Sequence, residues 1–353
     1  MAGYVFPTSE QLTAIAQEKL PQLTQDDPIF TLFPITAKNM INLKWEQKDS
    51  YKGLQQLRGI GGEPQRVQKV GMKSYLMEPG VYGEYAIIDE KEMLERRPIG
   101  TWDGFVDLTD LVMDLQDQLL NRRVDRIRWI MWTLLVNGAF YVPLPTGAIG
   151  HMDQYAYVTA IGQFGMQQAV AATPWSTFAT SQPLQDLRNL QTTNRGRSID
   201  FGPNGSIFIN RSTWFNLVRN TNPQDFGGKK SQTRPFSTIT SLTDLNEIMV
   251  DADLPQFVIY DRTYIDDNGV AQLFIPNGTA IVVGARTNGD PLGEYFLTRN
   301  TNNPGMGAGA YQMVIDRGAG PYPQIPRNVE VHDGHNGGPA LYYPSAIVRL
   351  TGL

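Results

Sequence analysis

Residues 101–140 read TWDGFVDLTDLVMDLQDQLLNRRVDRIRWIMWTLLVNGAF, which is the longest uninterrupted helical pattern in the chain. The stretch contains no proline, and its two glycines, Gly104 and Gly138, lie near its ends. Apolar residues recur along it at helical spacing: Phe105, Leu108, Val112, Leu115 and Leu119, then Val124, Ile127, Met131 and Leu135. The pattern predicts one helix from Thr101 to about Phe140, roughly 55 Å long at 1.5 Å per residue.

The same stretch carries a row of aspartates at spacings of four, three, four and three residues. This acidic row consists of Asp103, Asp107, Asp110, Asp114 and Asp117. Its spacing places five carboxylates on one helical face, where like charges disfavour the helix slightly. The row is either a solvated helix face or the binding surface for a basic partner. The arginines that follow it are expected to be salt-bridge partners: Arg122, Arg123, Arg126 and Arg128.

A basic segment precedes the acidic row and predicts a hairpin from Leu43 to Pro79, folded at Gly59-Ile60-Gly61-Gly62. Arms of about 16 residues would extend roughly 50 Å, and an isolated two-stranded ribbon is barely stable in water. Residues 44–73 have a local net charge of +4. We therefore expect the hairpin of one subunit to lie against the acidic row of another. The basic residues expected at this interface are Lys48, Lys52, Arg58, Arg66 and Lys69.

The N-terminal segment predicts a short amphipathic helix. Thr8 can cap it, with Gln11 at the capping-box position, and Pro21 is expected to end it. Two locations remain open for this helix: its own domain or a neighbouring subunit.

From Phe201 onward the chain predicts a mixture of short helices and strands. Ser212 is expected to cap a helix that runs through Val218, and Asp266-Asp267-Asn268-Gly269 has the Asn-Gly signature of a hairpin turn. The remaining expected elements are a helix at 183–193, a helix at 243–250, and strands at 206–209, 257–260, 262–265, 270–275, 279–283 and 346–350. The glycine-rich stretch 300–338 is expected to be irregular.

Composition and motifs argue against most enzymatic chemistry. The chain has 353 residues, a net charge of −5, no cysteine and three histidines. The Gly227-Gly228-Lys229-Lys230-Ser231 segment lacks the P-loop pattern, and the glycines at 305, 307 and 309 have no flanking strand and helix. His332-Asp333-Gly334-His335 is expected to be a surface loop without a metal. No catalytic residue, cofactor or metal is predicted, and neither a signal peptide nor a membrane span is recognisable.

The order of these elements resembles that of the major capsid proteins of tailed bacteriophages. More narrowly, the chain is similar to the lambda-type major capsid protein E family, which has the Hong Kong 97-like α+β fold. The resemblance rests on Leu94-Glu95-Arg96-Arg97-Pro98-Ile99-Gly100 before the long helix, on Ser206 to Val218, and on the strand, Asn-Gly turn and apolar run between Tyr264 and Gly284. It extends from about Phe33 to Gly284 and includes the last dozen residues.

The resemblance implies a role for each segment. Residues 1–43 would be an N-terminal arm and 44–82 the extended loop lying over a neighbour's peripheral domain. Residues 83–200 would form the peripheral domain with the long helix as its spine. Residues 201–340 would form the axial domain, and 341–353 a strand returning to the peripheral domain.

The same resemblance implies an icosahedral shell of hexamers and pentamers around double-stranded DNA, which the acidic chain would enclose without specific binding. The implied partners are further copies of the chain, a separate scaffolding protein, the portal and a decoration or cement protein. No membrane is involved, and assembly would take place in the host cytoplasm before the chain resides in the virion. Two other interpretations remain open: another virion protein of the tail tube or decoration type, and a soluble hydrolase with Asp/Glu pairs.

Overall fold

The computed structural model describes residues 4–46, 57–64, 74–97, 99, 106–155, 157–158, 165–194, 199–226, 233–239, 241–286, 289–300, 309–318 and 326–353. Over these residues the helices are α1 (Ser9–Thr24), α2 (Pro28–Leu32), α3 (Glu90–Glu95), α4 (Thr109–Asn137), α5 (Pro183–Thr193), α6 (Arg211–Val218) and α7 (Leu242–Asp251). Two short 3₁₀ turns lie at Phe236–Thr238 and Pro344–Ala346.

The strands of the first half are β1 (Tyr4–Val5), β2 (Ile35–Ala37), β3 (Leu43–Glu46), β4 (Ser74–Met77), β5 (Gly80–Ile88), β6 (Val106–Asp107), β7 (Ala139–Pro143), β8 (Ile149–Gln154), β9 (Tyr157–Val158) and β10 (Met166–Val170). Those of the second half are β11 (Ile199–Asp200), β12 (Ser206–Ile209), β13 (Gln224–Asp225), β14 (Thr233–Arg234), β15 (Gln256–Ile259), β16 (Thr263–Ile265), β17 (Ala271–Leu273), β18 (Thr279–Val283), β19 (Ala285–Arg286), β20 (Gly293–Leu297), β21 (Ala310–Asp316), β22 (Val329–Leu341) and β23 (Ile347–Thr351).

The long helix exists but is shorter than predicted. Helix α4 has 29 residues, about 44 Å, and ends at Gly138, whose φ of 70° suits the left-handed C-cap position. It begins at Thr109 instead of Thr101 because the preceding residues are extended: β6 pairs with β1, and the Leu108 N–H donates to the Val5 carbonyl. The predicted helix start at residues 101–105 lies outside the described residues.

One sheet of five strands packs against α4, and β22 is its centre. Strand β5 pairs with one edge of β22, while β21 and β20 pair with successive parts of the other edge, and β2 extends the sheet beyond β20. Val329 and Val331 of β22 and Ile88 of β5 meet Val112 and Leu119 of α4 in one apolar cluster.

The expectation that residues 300–338 are irregular is therefore wrong for 310–316 and 329–338. The glycines of β22 mark close approach between strands instead of loops. A Cβ at Gly334 would come within 2.5 Å of the Tyr82 carbonyl oxygen and 2.6 Å of the Tyr311 ring.

A second sheet has the strand order β15-β12-β18-β23-β10-β9. Strand β18 is buried along its whole length, as predicted for residues 279–283. Strand β23 lies between β18 and β10, antiparallel to the first and parallel to the second.

Most of the short elements predicted beyond residue 180 are confirmed, including helix α5, helix α7 and the Asn-Gly turn between β16 and β17. The predicted cap of α6 is wrong: Asn210, instead of Ser212, accepts from the backbone N–H of Thr213 at 2.8 Å.

Helix α1 has the predicted Thr8–Gln11 capping box and packs on the chain's own α4. The Gln116 amide of α4 donates to the Leu12 carbonyl at 2.7 Å. Pro21 does not end the helix, which continues to Thr24. Proline has no N–H to donate to the carbonyl one turn earlier in the helix. Because Pro21 is exposed, water can donate to that carbonyl instead.

Candidate inter-subunit surface

The part of the acidic row on α4 is largely exposed to solvent. Asp110 and Asp114 point away from the five-stranded sheet, and Asp117 is half-buried against α1. The Lys19 ammonium group lies 2.6 Å from the Asp117 carboxylate, so one member of the row already has a partner within the chain. Within the described residues, the other two carboxylates on the helix remain open to a further basic group.

Asp107 precedes the helix and was wrongly placed on it, because residues 106–107 form β6. Its exposed carboxylate accepts from the Thr109 backbone N–H at 2.9 Å, at the start of α4. Hydrogen bonds from Thr109 lower the pKa of Asp107 and keep it ionised. Asp103 lies outside the described residues.

The arginines behind the acidic row are salt-bridge partners, as predicted for Arg122, Arg123 and Arg128. The Arg122 guanidinium binds both carboxylate oxygens of Glu84 on β5 at the surface. Arg123 and Asp333 form a pair at 3.2 Å whose side chains are almost fully buried. The first of these pairs ties α4 to β5, and the second ties it to β22.

Asp27 connects α4 to the six-stranded sheet. Its buried carboxylate lies 2.6 Å from Arg128 of α4 and accepts from the Tyr260 hydroxyl, at 3.2 Å, just after β15. Arg262 approaches the same carboxylate at 3.4 Å. Two positive groups and one hydroxyl thus compensate the burial of this charge.

The base of the predicted hairpin is formed by the antiparallel pair β3 and β4, and we call residues 43–77 the ribbon. Trp45 stacks on Tyr75 with ring centroids 5.6 Å apart, and Tyr75 contacts Tyr155 at 5.2 Å. The Trp45 indole N–H donates to the Leu341 carbonyl at 3.1 Å. These contacts tie the base of the ribbon to the end of β22 and to Tyr155.

The tip of the ribbon is described at residues 57–64, where the Gly62 N–H donates to the Gly59 carbonyl, as in the predicted turn. Leu57 and Ile60 are fully exposed there, and Arg58 donates to the Gly62 carbonyl at 3.1 Å. Most of the two arms, with Lys48, Lys52, Arg66 and Lys69, lies outside the described residues.

A buried polar cluster lies beside the base of the ribbon. Tyr82 forms a hydrogen bond of 2.5 Å with His151 and stacks on His335, which in turn lies 3.1 Å from the Tyr295 hydroxyl. Burial lowers the pKa of His151 to about 4 and that of His335 well below its usual value. Both histidines are therefore neutral near pH 7.

The predicted surface loop 332–335 is thus wrong, since these residues lie within β22 and both Asp333 and His335 are buried. The signal that could have identified the strand is the alternation of Val329, Glu330, Val331 and His332, in which the two valines pack against α4.

The requirements of a metal site and of a two-carboxylate site can be compared with the described residues. No group of three or more His, Asp or Glu side chains there is arranged to hold a metal ion. An open groove beside α7 contains Glu247 and Asp251, but both belong to one face of one helix. Glycoside hydrolysis needs two carboxyl groups flanking the bond that is cut. No helix among these residues is long and apolar enough to cross a membrane.

Comparisons with known proteins agree with the fold. The model of the family described as phage major capsid protein E matches residues 43–302. A prophage protein from Escherichia coli CFT073 described as a capsid protein aligns with a TM-score of 0.59 at 13% identity, covering 98% of this chain and 99% of that one. A phage-related protein of Bordetella bronchiseptica gives a TM-score of 0.54 at 11% identity, covering 99% of both chains. Among curated proteins, none matches the sequence.

These structural similarities, at low identity, confirm the Hong Kong 97-like capsid fold. The family match covers more than half of the chain and confirms the predicted structural role in the phage head shell. The tail-tube, decoration and hydrolase interpretations are not favoured. The chain belongs to the phage major capsid protein E family.

Proposed function

We propose that copies of this chain assemble into the hexamers and pentamers of an icosahedral head, with the ribbon of each copy lying on a neighbouring copy. The observation that carries this proposal is the tip of the ribbon, where Leu57 and Ile60 are fully exposed. Exposing two large apolar side chains on one turn is unfavourable in water. A second subunit that covers the tip would remove this cost.

Charge supports the acidic row as the surface that receives the ribbon. The proposed contacts join the basic residues of the ribbon to the row, and they involve Lys48, Lys52, Arg58, Arg66, Lys69, Asp103, Asp107, Asp110, Asp114 and Asp117. Asp110 and Asp114 are the strongest candidates, because they are exposed on α4. Asp117 is the weakest, because Lys19 already neutralises it.

The resemblance implies that the axial domain begins after residue 200 and ends at residue 340. Strand pairing supports a division that differs from this in detail. Strand β22 pairs with β5 beneath α4, and β20 and β21 pair with the other edge of β22, which favours placing residues 293–341 in the peripheral domain. Strands β10 and β23 extend the sheet of β12, β15 and β18, which favours placing them in the axial domain. Residues 1–43 remain the proposed N-terminal arm and 44–82 the extended loop.

Further proposed partners follow from the same role. A shell of this kind needs a scaffolding protein to set its curvature and a portal at one vertex, and a decoration protein is a further candidate. We propose assembly in the host cytoplasm and an inner surface that does not bind DNA specifically, in keeping with the net charge of −5.

Electron microscopy of the purified chain, alone and with the scaffolding protein from the same genome, tests the assembly. Rings, sheets, tubes or closed shells are expected. A chain that remains monomeric or forms only a small closed oligomer even with scaffold would contradict the proposal.

A charge exchange tests the interface itself. The variant Asp107→Lys, Asp110→Lys, Asp114→Lys is expected to lose assembly, and so is Lys48→Glu, Lys52→Glu, Arg58→Glu. A chain carrying both sets restores opposite charges between subunits and should assemble again. Unchanged assembly of the first variant would show that the ribbon does not bind the acidic row.

A further inference from the structure

The five-stranded sheet ends at β5, whose outer edge has no pairing strand within the described residues. Its inner edge is paired with β22 over nine consecutive positions, from Gly80 with Gly337 to Ile88 with Val329. Strands β20 and β21 both lie on the far side of β22. The outer edge of β5 thus offers a long row of backbone N–H and C=O groups.

This edge lacks the features that usually prevent pairing with another chain. The sequence Gly-Val-Tyr-Gly-Glu-Tyr-Ala-Ile-Ile contains neither proline nor lysine, and its register with β22 shows no bulge. Its one charged residue, Glu84, is bound by Arg122 of the same chain. Val81, Tyr85 and Ile87 are 77%, 57% and 47% exposed. Such an edge is a template for β-sheet extension.

We propose that the β5 strands of two copies pair antiparallel through their outer edges, about a two-fold axis centred on Glu84. The pairing joins the two five-stranded sheets into one continuous sheet. It builds on the proposed self-assembly, but it specifies a contact that the ribbon and the acidic row do not involve.

The order of side chains in β5 makes this edge complementary to itself. In the centred register, Val81 lies opposite the partner's Ile87, and Gly83 lies opposite the partner's Tyr85. Both pairs occur twice because of the two-fold symmetry. An aromatic ring beside a glycine and a pair of β-branched residues are both favourable neighbours across two strands.

Glu84 would face the partner's Glu84, and like charges directly opposite each other disfavour pairing. Each carboxylate, however, lies against its own Arg122, whose side chain is 67% exposed and can reach across the axis. The Arg122 guanidinium also lowers the pKa of Glu84, so the ion pair persists near pH 7. The axis therefore places two ion pairs side by side instead of two bare anions.

The absence of cysteine from the chain makes cross-linking a direct test. The double variant Val81→Cys, Ile87→Cys places a thiol opposite a thiol at two points, within the range of a disulfide or a short bis-maleimide. We expect covalent dimers from this variant and from Glu84→Cys under oxidising conditions. The single variants Val81→Cys and Ile87→Cys should remain uncross-linked, since their thiols are six residues out of register.

Cross-linking is measured where the unmodified chain forms multimers, with circular dichroism as the test of folding. If the double variant forms multimers in the electron microscope but no covalent dimer, the pairing is wrong while self-assembly stands. Dimers from either single variant in comparable yield also overturn it. If the double variant Val81→Cys, Ile87→Cys does not cross-link but Leu57→Cys, Val81→Cys does, the outer edge of β5 contacts the ribbon of a neighbouring copy and not a second β5. Absence of multimers from the unmodified chain with scaffold would instead contradict the proposed function.

Discussion

The guanidinium of Arg123 lies 3.2 Å from the carboxylate of Asp333, and both side chains are almost fully buried between α4 and β22. The Gln312 amide on β21 donates to the same carboxylate at 2.9 Å. Burial lowers the pKa of Arg123 and raises that of Asp333, while their mutual attraction opposes both shifts. This charge pair thus fixes the position of α4 on the sheet, and removing either member leaves a buried charge without its partner.

Replacing one member should be far more harmful than replacing both. Arg123→Met leaves the Asp333 carboxylate buried without its cation and should lower the free energy of unfolding by about 3–5 kcal/mol. The double variant Arg123→Met, Asp333→Leu should recover most of that loss. Urea denaturation measures both, and Arg122→Met at the surface, expected to cost under about 1 kcal/mol, is the control. Equal stability of the single and double variants would contradict this account.

The buried histidine beside the ribbon should make the fold sensitive to acid. The pKa of His151 is lowered by burial to about 4, whereas an unfolded histidine titrates near 6.5, so the unfolded chain takes up the proton first. The free energy of unfolding should therefore fall by roughly 3 kcal/mol between pH 6.5 and 4 through this group, and not change through it above that range.

The comparison of His151→Gln with the unmodified chain isolates this effect. Burial raises the pKa of the neighbouring Asp153 to about 6, which stabilises the fold as the pH decreases from 6 and partly masks the histidine. Subtracting the two pH profiles of thermal unfolding removes that contribution. Parallel profiles for the two chains would show that His151 does not carry the acid sensitivity.

Trp45 should hold the base of the ribbon. Its side chain is 5% exposed, stacks on Tyr75 and donates to the Leu341 carbonyl. Trp45→Ala is expected to cost about 3–5 kcal/mol and to speed trypsin cleavage within residues 44–73. Trp45→Phe keeps the stacking but loses the hydrogen bond, which should lower the free energy of unfolding by about 1 kcal/mol. If Trp45→Ala leaves the cleavage rate unchanged, the ribbon is anchored elsewhere.

Two glycines in adjacent strands should differ in their tolerance of a methyl group. A Cβ at Gly334 would lie 2.5 Å from the Tyr82 carbonyl oxygen, which is backbone and cannot easily move. A Cβ at Gly83 would meet only the terminal hydroxyl of Tyr311 within 3 Å. Gly334→Ala should therefore cost about 1–3 kcal/mol and Gly83→Ala less, with Tyr311→Phe relieving the latter. Thermal unfolding of these variants decides whether close approach explains the glycines of β22.

Local patterns predicted the elements whose signals are contained within a few residues. The capping box of α1, the apolar stripe of α4, the buried strand 279–283 and the Asn-Gly turn all depend on neighbours in sequence. The start of α4 was misjudged because β1, about one hundred residues earlier, holds residues 106–107 extended. Strand β22 was missed because its glycines are explained only by side chains of other strands.

The candidate surface likewise combines features that neighbouring residues predict with features that depend on distant parts of the chain. Arg122, Arg123 and Arg128 of α4 form the expected salt bridges, since alternating charges on a helix favour them. Their partners Glu84, Asp333 and Asp27 are up to 210 residues away and could not be read from spacing. The Tyr82–His151–His335 cluster likewise depends on three distant strands meeting.

Strand β23 has a consequence for the order of events during synthesis. It lies between β18 and β10, so five strands of the six-stranded sheet leave the ribosome before the strand that joins them. Until residues 347–351 have been made, β10 and β18 each keep an open edge and the two parts of the sheet remain separate. The six-stranded sheet can therefore close only after residues 347–351 have left the ribosome, so a nascent chain shorter than this cannot offer the finished sheet to a neighbouring subunit.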